Sequence, residues 1–285
     1  RRLYTAFFTF TQRTLPLLNK ANFGRNGRRW LTGLLGVQIG SITVAGISNK
    51  ELDKKPKWFR EAVYDLEQAM RDTDQYDPIE RNLILDRSRV IIEKFLYLNN
   101  PELFWRLTRV LVEKADLAST KEERVALLKQ AVEASEKALR FEREPIANVH
   151  KWRGIALSKL MEFDKKLRKS GREKVKEHFE RALELNPDDP LNWHNVGVTK
   201  LNRKLYKEGL KHLKKAEELS PGFLSLNYYY IGMAYLSLRQ KAKAKEAFLQ
   251  VFRHHIKWNS DVTARLLSRK ELAGLGVPKE EFEHI

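Results

Sequence analysis

The chain has 285 residues and no cysteine, and its 54 Lys and Arg against 37 Asp and Glu give a formal net charge of +17. The missing cysteines exclude a disulfide scaffold, a cysteine nucleophile and a cysteine-ligated zinc or iron–sulfur centre. With 42% apolar residues, the chain can bury a substantial core. The basic excess is typical of proteins that bind nucleic acid, tubulin or an anionic membrane, or that work in a basic compartment.

The first 50 residues concentrate this charge, since they hold eight basic residues and no acidic one. An acid-free start rich in Arg, Thr and aromatic residues is typical of a mitochondrial transit peptide. We therefore predict a mitochondrial location, with a cytoplasmic, microtubule-bound location as the alternative. The segment itself has a second interpretation, which is a basic arm that packs on a partner.

Residues 30–48 are 19 residues without a charge, preceded by Arg28 and Arg29 and followed soon by Lys50. About 20 apolar residues span a bilayer as a helix. The segment is therefore a candidate membrane span, with a membrane-surface or partner-bound segment and a buried helix as alternatives. The residues predicted to represent this membrane segment are Trp30, Leu34, Leu35, Ile39 and Val44.

From Pro56 onward the sequence predicts one helix after another and no strand of alternating polarity. Pro, Asn and Asp residues separate the predicted helices. These helices cover residues 57–74, 78–98, 101–118, 121–141, 146–166, 170–186, 189–203, 205–220, 225–239, 241–256 and 260–273. The predicted organisation is a basic extension (1–50), leading helices (51–100), repeats (101–259) and a C-terminal cap (260–285).

A repeat is visible between Pro187 and Pro221, which are 34 residues apart, the period of the tetratricopeptide repeat. Its characteristic positions are filled by Trp193, Val196, Gly197, Gly209, Leu213 and Ala216, and in the next unit by Tyr228, Ile231, Gly232, Tyr235, Ala244, Phe248 and Val251. Two earlier units are degraded, one with Trp105, Ala131, Ala134 and Ala138, the other with Trp152, Ile155, Ala156, Phe179 and Ala182. The second of these has an excess of residues in 161–174, which we assign to an inter-helix loop. The fold class is therefore all-α, a tetratricopeptide-like α-solenoid of antiparallel helix pairs.

In such a stack, the first helix of each unit lines the inner, concave face. Repeat spacing places ten residues there as a candidate groove: Arg153, Leu157, Leu160, Leu191, His194, Val198, Leu201, Tyr229, Met233 and Leu236. The set is largely apolar with a few polar tips, which suits an amphipathic helix, an apolar peptide or an acyl chain. The alternative is that the protein's own helices fill this face.

The sequence offers no catalytic set, no cofactor motif and no metal-binding spacing. His254 and His255 are adjacent, so they point about 100° apart on a helix, unlike the i, i+4 pairs that chelate metals. His178 and His212 are separated by one repeat period, so repeat register explains them. Aromatic residues do not alternate with the basic ones as in single-strand binding platforms, which disfavours nucleic acid.

Three segments resemble the regulator of microtubule dynamics family. Residues 102–109 (ELFWRLTR) are similar to its "LWRLAR" helix, and His150-Lys151-Trp152 is similar to its "HKW" segment. Residues 175–187 (VKEHFERALELNP) are similar to its "IKEHFEKAIELNP" run. The resemblance implies a tetratricopeptide-like, non-enzymatic domain in a family associated with mitochondria, microtubules and organelle contact sites. One membrane-tethered member is similar to a lipid-binding and lipid-transferring module.

Together, these features predict a non-enzymatic scaffold of mitochondria, associated with a membrane. It would bind a protein partner, or dock in a larger mitochondrial assembly, through its repeats. One alternative is a lipid-binding or lipid-transfer module with an apolar concave groove. The other is a microtubule-associated protein that binds the acidic surface of tubulin.

Overall fold

The computed structural model describes residues 80–256 and 259–282, together with Lys57, Arg60, Glu61, Tyr64 and Asp65. This part of the chain is helical and contains no strand. Between residues 80 and 282, the described part of the chain forms ten α-helices: α1 (Arg81–Glu93), α2 (Pro101–Leu117), α3 (Lys121–Phe141), α4 (Ala147–Leu160), α5 (Lys165–Leu185), α6 (Pro190–Asn202), α7 (Tyr206–Leu219), α8 (Ser225–Ser237), α9 (Lys241–Arg253) and α10 (Asn259–Gly274). Short 3₁₀ segments lie at Leu96–Leu98 and Lys279–Glu281. The candidate membrane span 30–48 and the basic segment 1–50 lie outside the described residues.

Polar side chains at the helix starts explain why the helices begin where they do. Asn100 accepts a hydrogen bond from the Glu102 backbone N–H ahead of α2, and Thr120 accepts one from the Glu123 N–H ahead of α3. Asp189 caps α6 in the same way. Each bond satisfies a backbone donor that the helix itself leaves without an acceptor. These are the starts that the sequence signals predicted to within one residue.

The helices stack as consecutive hairpins, α2–α3, α4–α5, α6–α7 and α8–α9. α1 packs on α2 at one end, and α10 packs on both α8 and α9 at the other. First helices of neighbouring units also pack on each other, α2 on α4 and α6 on α8. The largest apolar clusters lie at the two ends of the stack, one built from α1 to α4 and one from α8 to α10.

Two turns between paired helices repeat the same geometry. Lys204 after α6 and Arg239 after α8 both adopt the left-handed conformation, with φ of 65° and 60°. In each turn the following residue donates its N–H to a carbonyl five positions back, Leu205 to Lys200 and Gln240 to Tyr235, 3.0 and 2.9 Å away. This is the Schellman arrangement, which satisfies the last carbonyls of a helix.

The region 161–174 differs from the sequence prediction. It was assigned to a loop between helices at 146–166 and 170–186, but α4 ends at Leu160 and α5 begins at Lys165. Asp164 caps α5 by accepting hydrogen bonds from the N–H groups of Lys166 and Leu167. Most of the extra residues therefore lengthen α5 to 21 residues, against 14 in α7 and 13 in α9. We call its first part, residues 165–174, the α5 overhang.

Candidate functional site

Glycines mark equivalent positions in three successive units, because each lies against a large side chain of the following helix. A Cβ built on each glycine would meet that side chain at 2.5 Å for Gly154 and Phe179, 2.8 Å for Gly197 and Leu213, and 2.4 Å for Gly232 and Phe248. Packed interiors have no room for such contacts. These positions therefore require glycine, and they align the three units with one another.

This alignment corrects the register predicted for the α4–α5 unit. The sequence pattern had matched Trp152 and Ala156 to the repeat's Trp and small residue, but Gly154 occupies the small-residue position. The register therefore begins two residues earlier, which makes His150 the equivalent of Trp193. Trp152 instead packs against the apolar clusters built on α2 and α3. The two residue patterns have the same spacing, so the sequence alone favoured the wrong one.

The shift changes where the predicted groove residues of α4 lie. Leu157 and Leu160 are buried between helices, with 5% and 7% of their surface exposed, so they do not line an open inner face. Arg153 is half-buried and donates to Ser135 on α3 and to His178 on α5. The α4 residues equivalent to the groove positions of the later units are Asn148, Lys151, Ile155, Ser158 and Lys159.

In α6 and α8 the register is as predicted, and the groove residues divide into two sets. His194, Leu201 and Tyr229 are at most 9% exposed and form part of the packed stack. The others keep part of their surface open: Leu191, Val198, Met233 and Leu236, with Leu226 beside them. We call these five residues the inner-face stripe. It crosses two successive first helices. Leu226, Met233 and Leu236 also pack against the apolar cluster built on α8 to α10, so the stripe is the partly open apolar part of the predicted groove.

Two of the three segments that carried the family resemblance contact each other through His150 and His178. The two His Nδ1 atoms lie 2.9 Å apart, and Arg153 Nε donates to His178 Nε2 at 3.0 Å. Because His178 Nε2 accepts a hydrogen bond from Arg153, the ring proton of His178 lies on Nδ1, which donates a hydrogen bond to His150 Nδ1. Burial and the neighbouring Arg153 lower the pKa of His178 to about 4. Both rings are therefore neutral at pH 7 and act as a polar link between α4 and α5.

His194 is a structural residue rather than a ligand-binding tip of the groove. It is 4% exposed, and its Nδ1 lies 2.9 Å from the side-chain oxygen of Asn227 on α8. Asn227 in turn donates to the Leu213 carbonyl at 3.1 Å and to Glu217 at 2.9 Å. The network connects α6, α7 and α8, and its donors and acceptors satisfy one another.

The stability of this network is expected to depend on pH. Burial lowers the pKa of His194 to about 4 although its hydrogen bond to Asn227 opposes the shift. Between pH 6.5 and 4 the unfolded chain binds a proton at this residue and the folded chain does not, so stability falls as pH falls through that window. The full effect is about 3 kcal/mol. Urea unfolding between pH 7 and 4.5 should show a flatter pH dependence for His194→Gln than for the wild type.

A second feature, which the sequence analysis did not predict, is a cleft between α5 and α6. It has a volume of about 90 Å³ and is lined by Lys176, Phe179, Glu180, Val196, Thr199, Lys200, Arg203 and Leu205. The cations Lys165, Lys169 and Arg172 precede Lys176 on α5 at spacings of three and four residues, so all four share one face of the helix. In the sequence, Asp164 as a helix cap followed by cations at helical spacing indicates a helix here, where the loop was predicted.

The described part of the chain contains neither a metal-binding cluster nor a membrane-spanning helix. No cluster of three or more His, Asp or Glu side chains in these residues is arranged to hold a metal ion. None of the described helices is both long and apolar enough to cross a bilayer. The predicted span residues Trp30, Leu34, Leu35, Ile39 and Val44 lie outside the described residues.

The stacked hairpins, with a glycine at the contact in three of them, define a tetratricopeptide-like helical-repeat protein. A solved structure agrees: a thermophilic tetratricopeptide-repeat protein of Thermus thermophilus superposes with a TM-score of 0.53 at 16% identity. The superposition covers 74% of this chain and 99% of the other. At this identity the likeness shows the fold alone.

The family model described as Regulator of microtubule dynamics protein 1-3 matches residues 66–203 and 198–275. The chain therefore belongs to this family. Regulator of microtubule dynamics protein 1 of Mus musculus is 32% identical over 165 residues, 50% of this chain and 54% of the relative. The Bos taurus protein 1 is 27% identical over 205 residues, covering 64% and 63%. Protein 3 of Xenopus laevis is 30% identical, covering 53% and 37%. This chain thus spans only about half the length of most relatives it matches.

Proposed function

We propose that this protein is a non-enzymatic scaffold that binds a protein partner on the inner face of its repeats. The observation that carries the proposal is the inner-face stripe, Leu191, Val198, Leu226, Met233 and Leu236, which stays partly open across α6 and α8. Apolar side chains arranged along neighbouring helices suit the apolar face of an amphipathic helix. The acid-free segment 1–50 and the candidate span 30–48 support placing this scaffold at a mitochondrial membrane.

The proposal is tested by placing a charge on the stripe. Met233→Glu should reduce recovery of partner proteins from mitochondria about tenfold, because a carboxylate in an apolar contact must be desolvated. Ala242→Glu is the matched control, since Ala242 is exposed on α9 and the change in charge is the same. Quantitative mass spectrometry of the recovered proteins provides the measurement. An unchanged partner set with Met233→Glu would refute inner-face binding, and loss of a co-purified lipid instead would favour the lipid-binding alternative.

A second candidate function is association with the acidic surface of tubulin. The family name supports it, and so do the exposed cations of the α5 overhang, Lys165, Lys166, Lys169, Arg172 and Lys174. Binding through these charges should weaken strongly with added salt. Co-sedimentation with microtubules at increasing salt, and with microtubules stripped of their acidic tails, measures this contribution.

A further inference from the structure

The α5–α6 cleft combines an apolar wall with a rim of three cations, Lys176, Lys200 and Arg203, each paired with a carboxylate of the protein. Phe179 and Val196 form buried parts of its wall, and Leu205 lies at its edge with 42% of its surface exposed. The Schellman turn after α6 holds Leu205 there through its N–H bond to the Lys200 carbonyl. A large apolar side chain kept at the mouth of a cleft can contact an apolar group of a ligand.

The cations of the rim already bind carboxylates of this chain. Arg203 pairs with Glu173 at 2.6 Å, Lys200 with Glu208 at 2.9 Å, and Lys176 with Glu180 at 3.1 Å. The carboxylate partners in these pairs are 39% to 62% exposed, and such surface pairs contribute little to stability. A carboxylate from another molecule could therefore replace any of these carboxylate partners without a large loss of folding stability.

The overhang next to the cleft carries positive charge that the described part of the protein does not neutralise. Lys165, Lys169 and Arg172 are exposed and make no ion pair with any described residue. They continue the line of Lys176 away from the cleft along one face of α5, a distance of about 16 Å at 1.5 Å per residue. A ligand with one end in the cleft would therefore meet a row of free cations.

We propose that the cleft and the cationic face of the α5 overhang form a second docking site, which binds an acidic peptide segment of a partner protein. One large apolar side chain of the peptide enters the cleft beside Leu205, and its carboxylates bind along Lys176, Arg172 and Lys169. Charge complementarity identifies the occupant, because Lys165, Lys169 and Arg172 are exposed beside the cleft and make no ion pair with any described residue. The site is independent of the inner-face stripe, so it allows one scaffold to hold two partners.

Fluorescence anisotropy with the full chain tests the proposal. The probe is a labelled 12-residue peptide of Glu and Gly with one central Leu, and its comparison peptide has Gly at that position. Lys169→Glu/Arg172→Glu should weaken binding of the Leu peptide by about tenfold or more. The control Lys211→Glu/Lys214→Glu makes the same change in charge on exposed positions of α7 and should alter binding less than about twofold.

Two results would overturn the proposal. Equal weakening by both double variants would show attraction to the general positive charge, and equal binding of the two peptides would show that the cleft takes no apolar anchor. Leu205→Ser should lower the affinity for the Leu peptide alone, which tests the cleft even if a charge variant folds poorly. Binding of the full chain to phosphatidylserine vesicles that matches peptide binding and is lost with the same variants would assign the site to a membrane instead. Met233→Glu changes the inner-face stripe and should leave peptide binding at the cleft unchanged. Failure of one proposal therefore does not imply failure of the other.

Discussion

Replacing Glu102 with alanine is expected to lower the free energy of unfolding by about 3–5 kcal/mol. Glu102 and Arg106 form an ion pair one turn apart on α2, and their side chains are only 5% and 2% exposed. Glu102 also accepts the indole N–H of Trp105 at 2.8 Å. Its loss would remove a carboxylate that binds this buried guanidinium and would leave the Trp105 N–H without its acceptor, and losing one partner of a buried pair is costly.

A double variant separates the cost of isolating the charge from the net value of the pair. Glu102→Ala/Arg106→Met removes both charges, and it should recover most of the lost stability because apolar replacements of buried pairs are often nearly neutral. Chemical denaturation of the wild type, the single variant and the double variant measures the three values. A double variant as unstable as the single one would show that the packing of these side chains matters more than their charge.

Phe248→Ala should lower the free energy of unfolding by about 3–5 kcal/mol, through lost burial and the cavity left behind. Phe248 has no exposed surface, and its ring fills the space over Gly232. The centroid of its ring also lies 5.9 Å from the ring centroid of Tyr229 on α8. Phe248 therefore connects the two helices of the hairpin and belongs to the apolar cluster built on α8 to α10.

Leu219→Ala provides the comparison for this prediction, because Leu219 is 37% exposed at the end of α7. Its loss should cost less than about 1 kcal/mol. Thermal and urea unfolding should rank the two variants in that order. Similar losses for both would contradict the placement of Phe248 at the centre of the α8–α9 hairpin.

Most of the helical repeat could be predicted from sequence because its signals are local. Helix starts depend on single residues such as Asn100, Thr120 and Asp189, and period-34 spacing identifies the α6–α7 and α8–α9 units. The predicted and observed bounds of α3 are the same, 121–141. The helix starts are decided within one or two helical turns, and the repeat spacing is decided within one 34-residue unit.

The errors arose where two local patterns competed and tertiary contacts decided between them. Trp152 and Ala156 have the same spacing as His150 and Gly154, and only the approach of Phe179 to Gly154 selects one register. The extra residues of 161–174 look like a loop because of their many charges. Asp164, together with the packing of Leu167 against the first core cluster, makes most of them helical.

The candidate site was predicted less completely than the fold, since burial depends on neighbouring helices. Sequence spacing predicted groove positions in α6 and α8, but it could not show that His194 and Tyr229 are buried while Val198 and Met233 stay partly open. The α5–α6 cleft was missed altogether, because its walls come from helices of two different units.

The central claim is that a protein partner binds the inner face of the repeats, and site-specific photo-crosslinking tests it most directly. A photo-activatable residue replacing Met233 or Val198, one at a time, samples the inner-face stripe, and the same residue replacing Ala242 samples the exposed side of α9. Both inner-face positions should crosslink to the same protein in mitochondria, and the Ala242 position should not. Crosslinks from Ala242 alone, or none from either inner-face position, would contradict the claim.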